Sequence, residues 1–464
     1  MDLDRGARHR RAPLRRVPNI LFASIVFLGL SLRSLWLRDG ALAQDLTAPF
    51  PDLGRALGSF SLPILAVCLV CLFWLASRLV ERPRRPWSWG DHNVFLPLLG
   101  LSLLMITGLD PARSERTSFE VAKLLAFTWF VYLYIVNERP DISLPLAAGV
   151  LIQGAVAVLQ FLSQGDLGLR WLGELHLSTE VDGISILWVQ DRAWIRGYGL
   201  TDHPNLLGTL LAVGLLALTP AFGKSRGWIR AALAAALVAG FLGLLTTFSR
   251  AAWIGFAAGV AVYLILGNAR GTRPSVWALS GKPRVFGSAL VLLAVLFLLP
   301  YRELVLSRVL TGDNPVEVRS ISDRERDARL ALDLIVAHPW TGVGAGGFED
   351  AARALKPDAV TVHDVPLLVT AELGLPGAAL WLWLVAGSIL VARRRLMRWV
   401  GEGRAGALPA AALWLPPWVA SLANGLFDPN PWPLLMLSSA ILFGLMTGSL
   451  GSVDSTTEAR GTRR

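Results

Sequence analysis

The sequence predicts an all-α membrane protein that crosses the bilayer many times, and three observations predict it. Of the 464 residues 53% are hydrophobic and 17% charged, with a mean hydropathy of +0.51, a balance that a soluble domain does not reach. The apolar residues gather into about twelve stretches of a length suited to a hydrocarbon core of about 30 Å. The arginines and lysines gather between those stretches, as they do in cytoplasmic loops. The net charge of +10 therefore reads as topology and not as a nucleic-acid-binding surface.

The first stretch runs from about Ile20 to Leu32. Arg5, Arg8, Arg10, Arg11, Arg15 and Arg16 precede it, which holds a basic tail over 1–17 in the cytoplasm. No small-residue cleavage site follows, so this segment is not a removable signal. The second stretch, about Ser61 to Val80, returns to Arg82, Arg84 and Arg85. Spans three to five lie near Val94 to Leu109, Val121 to Val136 and Ile142 to Phe161. The sixth, about Leu206 to Phe222, ends at Lys224, Arg226 and Arg230; after a seventh, the eighth, about Ala252 to Leu266, ends at Arg270, Arg273, Lys282 and Arg284. The ninth covers about Val285 to Leu299, and the tenth, about Leu367 to Val391, runs into Arg393, Arg394, Arg395 and Arg398. The last two, about Ala407 to Leu426 and Leu434 to Leu450, leave a cytoplasmic tail over 451–464. An even number of crossings puts both termini inside a single membrane domain, 1–464.

On the outer face this leaves a loop of about Ser163 to Asn205, a tight turn near Thr246 to Ala251, and the long connection Tyr301 to Pro366. A connection that long is functional or disordered. Within it Ser322 to Val336 has apolar residues at near-helical spacing behind a serine with Glu325 three residues on, so helix lying along the membrane surface is expected. Cys68 and Cys71, the two cysteines of the chain, share one face of an apolar helix. They read as small packed residues, since a redox or zinc site needs further ligands or a soluble setting.

Polar residues at the ends of apolar spans mark function by default. Arg196 stands just before span six, and Arg250 lies in a turn with apolar helix on both sides. A buried-edge arginine is costly unless it pairs with an anion; its bland alternative is snorkelling to the interface. His363, just before span ten, carries a side chain that titrates near neutrality. His203 and His338 each precede a proline and read as structural. Gly342 to Gly347 satisfies G-x-G-x-x-G, but a dinucleotide site needs a preceding strand and a βαβ unit. A tight turn fits better, with Gly344 and Gly346 letting backbone approach a ligand. Arg196, Arg250 and His363 are all expected at a wet interface and not in a packing core.

These motifs occur in a telling order. Arg196-x-x-Gly199, His203-Pro204-Asn205, Ser249-Arg250-x-x-Trp253, His338-Pro339-x-x-Gly342-Val343-Gly344-x-Gly346-x-Phe348, then His363 ahead of Glu372-x-Gly374-x-x-Gly377, resemble the O-antigen ligase and Wzy-polymerase superfamily. The resemblance covers about Arg196 to Leu384, within a motif region 196–384. That family consists of glycosyltransferases of the GT-C type acting on sugars carried by undecaprenyl diphosphate. The resemblance implies catalytic roles for Arg196, Arg250 and His363: the arginines on the diphosphate, the histidine near the acceptor hydroxyl. It also implies a substrate contact at Asp364 beside those at Gly344 and Gly346, and no metal or other cofactor. The family usually has an amide residue after the histidine, whereas here Asp364 follows, with Pro366 beyond, so acceptor identity and the orientation of His363 stay open. The implied partners are an undecaprenyl-diphosphate-linked glycan donor, a lipid A core or glycan acceptor, and membrane lipid, with no nucleic acid. The implied place is a bacterial inner membrane, with 301–366 a large periplasmic loop and the active site facing the periplasm.

Chemistry agrees with that reading. Two fixed guanidinium forks stabilise a departing diphosphate, and a base helps a hydroxyl attack the opposite face with inversion. Asp39, Asp45 and Asp52, the acids of the first outer loop, are too scattered for an Asp-x-Asp metal pair, so the sequence does not require a metal. A lipid-linked glycan flippase or transporter is the alternative. It would share the helices and the cationic lining, but the internal repeats or mid-bilayer charges expected of one are not evident. Ligase and polymerase share a donor and differ in acceptor, and both stay open.

Overall fold

The computed structural model describes Phe22 and residues 62–80, 86–109, 115–268, 282–309, 315–401 and 410–426. Apart from Phe22, the first expected span lies outside these residues, as do the twelfth, both tails and the basic loop 82–85. Helices α1 (Leu62–Val80), α2 (His92–Thr107), α3 (Glu115–Glu138) and α4 (Ser143–Ser163) come first, then a hairpin of β1 (Ile186–Val189) and β2 (Arg192–Ile195). Helices α5 (Pro204–Lys224), α6 (Gly227–Thr246), α7 (Arg250–Asn268) and α8 (Lys282–Leu298) follow. The long connection holds α9 (Arg302–Val309), α10 (Pro315–Ala337) and α11 (Phe348–Leu355), and the described chain closes with α12 (Val365–Gly401), α13 (Ala410–Leu413) and α14 (Leu415–Gly425).

Among the described residues, five stretches are long and apolar enough to cross a membrane: α4, α5, α6, 287–308 through α8 and α9, and α12. Four shorter apolar stretches accompany them, Leu69–Leu79, His92–Thr107, Leu124–Glu138 and Arg250–Leu266. Where one span was expected from about Ala407 to Leu426, the described residues form two short helices. Pro416 and Pro417 lie in the first turn of α14, and proline starts a helix more readily than it continues one.

Lipid offers helices no hydrophobic drive to associate, so close contact depends on small residues. Helix α4 meets α6 glycine to glycine: a Cβ at Gly243 would stand 2.6 Å from Gly154 Cα. Helix α7 meets α14 in the same way, through Gly255 against the Ala420 carbonyl. One core joins α2, α3 and α12 through Val94, Leu98, Tyr132, Tyr134, Val365 and Val369, and a second joins α4 to α7 through Ala157, Leu207, Leu215, Leu244 and Ala252.

Helix α12 is broken at Gly374 (φ 68°, ψ −172°), two residues before Pro376. The break frees the carbonyls at the end of its first segment, and such groups need partners. The glycine-rich turn supplies them. Val343 N–H donates to the Ala371 carbonyl at 2.9 Å and Gly344 N–H to the Glu372 carbonyl at 3.0 Å, while Leu375 N–H donates back to Pro339 at 2.7 Å.

Helix α10 begins seven residues before the expected serine cap. Pro315 occupies its first position, where a missing N–H costs nothing and φ is already helical. Its inner face, Ala331 and Leu334, packs with Val343, Phe348, Val362 and Leu368, which fastens the long connection to α11 and to the start of α12.

Candidate active site

Two glutamines on α4 and a third at its C-cap hold the loop that carries Arg196. Gln153 and Gln160, seven residues apart, line up along the helix, and Gln164 caps its end. Gln164 Oε1 accepts from Ile195 N–H at 2.8 Å. Gln160 Oε1 accepts from Tyr198 and Gly199 N–H at 3.1 and 2.8 Å, and its Nε2 donates to the Gly199 carbonyl and to Glu174 Oε1 at 2.9 and 2.8 Å. Gln153 Oε1 accepts from Leu200 N–H at 2.8 Å. Irregular backbone beside a membrane helix needs such partners.

The guanidinium of Arg196 is fixed by three neutral oxygens. Its Nε donates to the Thr247 carbonyl at 2.6 Å, Nη1 to Ser185 Oγ at 2.7 Å and Nη2 to Asn205 Oδ1 at 2.6 Å. Thr247 belongs to the turn after α6, where orphan carbonyls and the negative end of the helix dipole favour a cation. Gly197 N–H reaches the neighbouring Thr246 carbonyl at 2.9 Å. Only 4% of Arg196 is exposed, so the expected wet interface is corrected here: tethering by α4 and the α6–α7 turn draws this arginine inward.

Pro204 starts α5 and His203 caps it, with Nδ1 accepting from Asn205 N–H at 3.2 Å. That bond commits the Nδ1 lone pair and leaves Nε2 as an N–H donor. Burial, then the charges of Arg196, His363 and Arg324, push the ring down to about 3. His203 is therefore neutral at physiological pH, and it marks the meeting point of Arg196 from the hairpin loop, Arg324 from α10 and His363 from the start of α12.

Asp364 caps α12, its Oδ1 accepting from Leu367 N–H at 2.7 Å. Burial raises its carboxyl above the usual range and that N–H partly offsets the rise. The cap fixes the residue immediately after His363. Arg250 begins α7 on the turn that holds Arg196, but its Nη1 donates to the Arg308 carbonyl at 3.4 Å, while Arg308 Nε donates to the Phe248 carbonyl at 3.1 Å. The charges acting on His203 are those of Arg196, His363 and Arg324, and Arg250 sits on the α9 side of the turn. Gly344 and Gly346 both have positive φ, 94° and 71°. A Cβ at Gly344 would lie 2.6 Å from the Gly108 carbonyl oxygen, and one at Gly346 2.6 Å from Thr117 Cγ2, so this turn lies against α2, α3 and α12.

Sequence reasoning did not single out Arg324, the glutamines or the second role of His203. Arg324 sits among Asp323, Glu325, Arg326 and Asp327, where a charge run reads as a solvated face. The glutamines did carry a signal, polar residues repeated along one face of an apolar span.

A bundle of apolar helices with a cationic, histidine-bearing cluster at one end defines a helical membrane protein with a polar site at its helix termini. Residues 234–382 match the Wzy_C family model, O-antigen ligase, so the resemblance carried by the motifs is shown from within α6 to the middle of α12. That similarity supports a membrane glycosyltransferase-type role in O-antigen assembly. The match begins after Arg196 and His203. No curated protein matches the chain.

Proposed function

We propose that this protein transfers a glycan from undecaprenyl diphosphate to an acceptor hydroxyl in O-antigen or other surface-polysaccharide assembly, as a ligase or polymerase, with inversion and without a metal. The observation that carries the reading is the convergence of Arg196, Arg324, His203 and His363 on one end of the bundle. Two guanidinium groups and a neutral imidazole N–H suit the oxygens of a diphosphate. The acceptor oxygen attacks the anomeric carbon as the bond to the phosphate oxygen breaks. The diphosphate leaves with the electron pair, stabilised by the cations, and His363 takes the hydroxyl proton. Arg250 supports the far side of the turn that holds Arg196 and adds a further cation for the donor. Gly344 and Gly346 shape the turn that docks at the break in α12, and bring backbone towards the substrate. Asp364 orients His363 through the cap.

The test is donor affinity measured beside transfer rate in purified, folded variants. His363→Ala is expected to spare donor binding and to lower turnover by about a hundredfold to ten-thousandfold. Arg250→Ala is expected to weaken both, with poor rescue by Arg250→Lys because an ammonium has no planar fork. Activity should persist in chelator. Loss of donor binding in His363→Ala with turnover kept at saturation would move the base to Asp364, and chelator inhibition reversed by Mg²⁺ would move the charge stabilisation to a metal.

A further inference from the structure

The exposed face of α10 changes chemistry along its length. Around its middle it carries Glu325 and Arg329, paired at 2.6 Å with side chains 64% and 73% exposed. In its second half, continuing past the helix end, it carries Leu332, Val336 and Trp340, 51%, 80% and 71% exposed. Leu332 and Val336, four residues apart, share one helix face, and Trp340 follows in the turn after the helix. Asp333, His338 and Thr341 are the exposed polar groups beside them.

This stripe ends at the break in α12. Leu375 N–H bonds to the Pro339 carbonyl, and a Cβ at Gly374 would stand 2.6 Å from the Trp340 carbonyl. Beyond the break, Leu375, Leu382 and Ile389 recur every seven residues on α12, 45%, 59% and 41% exposed. The positions exposed between them, Ala379, Trp383 and Ala386, are apolar too. This helix is long and apolar enough to cross a membrane, and a uniformly apolar uncovered face on such a helix is what lipid covers. The α10 stripe prolongs that face, with a tryptophan where the two meet, and tryptophan favours the interface between headgroups and acyl chains.

We infer that the second half of α10, from Leu332 to Trp340, is seated in the leaflet at which α12 begins. An interfacial helix of this kind sinks its apolar face about 5–10 Å into the headgroup and acyl boundary. The charged middle of the helix, with Glu325 and Arg329, stays in water. The seating needs no assumption about the reaction, so it stands or falls apart from glycosyl transfer.

The test uses the full chain in nanodiscs of phosphatidylcholine and phosphatidylglycerol. Single spin labels are placed at Val336→Cys and at Glu325→Cys after Cys68 and Cys71 are replaced by alanine. The label at 336 is expected to collide with oxygen severalfold more than with a water-soluble nickel chelate, and the label at 325 to show the reverse. A label at 336 as open to nickel as the one at 325 would overturn the seating. Protection at 336 from both reagents would overturn it too, by showing a second copy or another protein on the stripe. The unsubstituted chain gives an independent measurement: photolabelling by a phospholipid with a diazirine on its acyl chain should mark peptides spanning 332–340 and leave 322–329 unmarked. Equal marking of the two, or none, would count against the seating.

Discussion

His203 shows how one side chain joins folding to chemistry. It caps α5, and burial together with the charges of Arg196, His363 and Arg324 holds its ring at about 3, against about 6.5 in an unfolded chain. Between those values the unfolded state binds more protons, so stability rises with pH through the window and this contribution is complete above 6.5. Asp364 acts with the opposite sign, because its raised carboxyl makes the folded state the better proton binder just above the usual carboxylate range. The expected outcome is a lower melting temperature in detergent at pH 5 than at pH 7.5. His203→Asn should show a smaller difference, since asparagine keeps the cap and removes the titration. An unchanged difference in the variant would show that other groups set the slope. Arg196 and His363 were legible in the sequence because they stand beside apolar spans. Arg324 was not, because nothing in its run of mixed charge separates it from Arg326 or Arg329.

Among the elements, α4 does the most to shape the site although it carries none of the converging charges. Gln160 uses both lone-pair directions and both amide hydrogens on Tyr198, Gly199 and Glu174. Gln160→Leu would keep the size and strand those groups, at about 1–3 kcal/mol for each one left unpaired. Two effects are expected together: a fall in melting temperature and a loss of donor affinity larger than the loss of turnover at saturation, because Arg196 moves while His363 does not. Intact donor affinity beside a lowered melting temperature would reduce the glutamine to a packing role. The start of α5 was legible from His203-Pro204-Asn205, and the α6–α7 turn from its apolar flanks. The hairpin was not, since its turn is Gln190-Asp191, with φ of 50° and 59°, where asparagine and glycine are the usual signal. The start of α10 was missed because Ser322 with Glu325 imitates a capping box inside a helix that Pro315 had already begun.

At the scale of the whole molecule, the bonds of the site restrict how the chain can sit in a bilayer. Arg196 is bonded to Thr247, Arg308 to Phe248 and Arg250 to Arg308, so the hairpin loop, the α6–α7 turn and α9 belong to one end of the bundle. The charges that meet at His203 bring the start of α12 to the same end. The opposite ends of α5, α7 and α12 run into Lys224, Arg270 and Arg393 to Arg395, and such clusters lie in the cytoplasm. Reporter fusions after Arg85, Gly227, Lys282 and Arg395 should therefore report cytoplasm, and fusions near Gly173 and Asp358 the outer side. The fusion at Lys282 is the most exacting, because α7 and α8 join there between two segments tied to the site. An outer-side signal at Lys282 would turn Arg250 and α9 towards the cytoplasm and carry Arg196 with them through the Thr247 bond. A donor presented on the outer leaflet could then no longer reach the cluster.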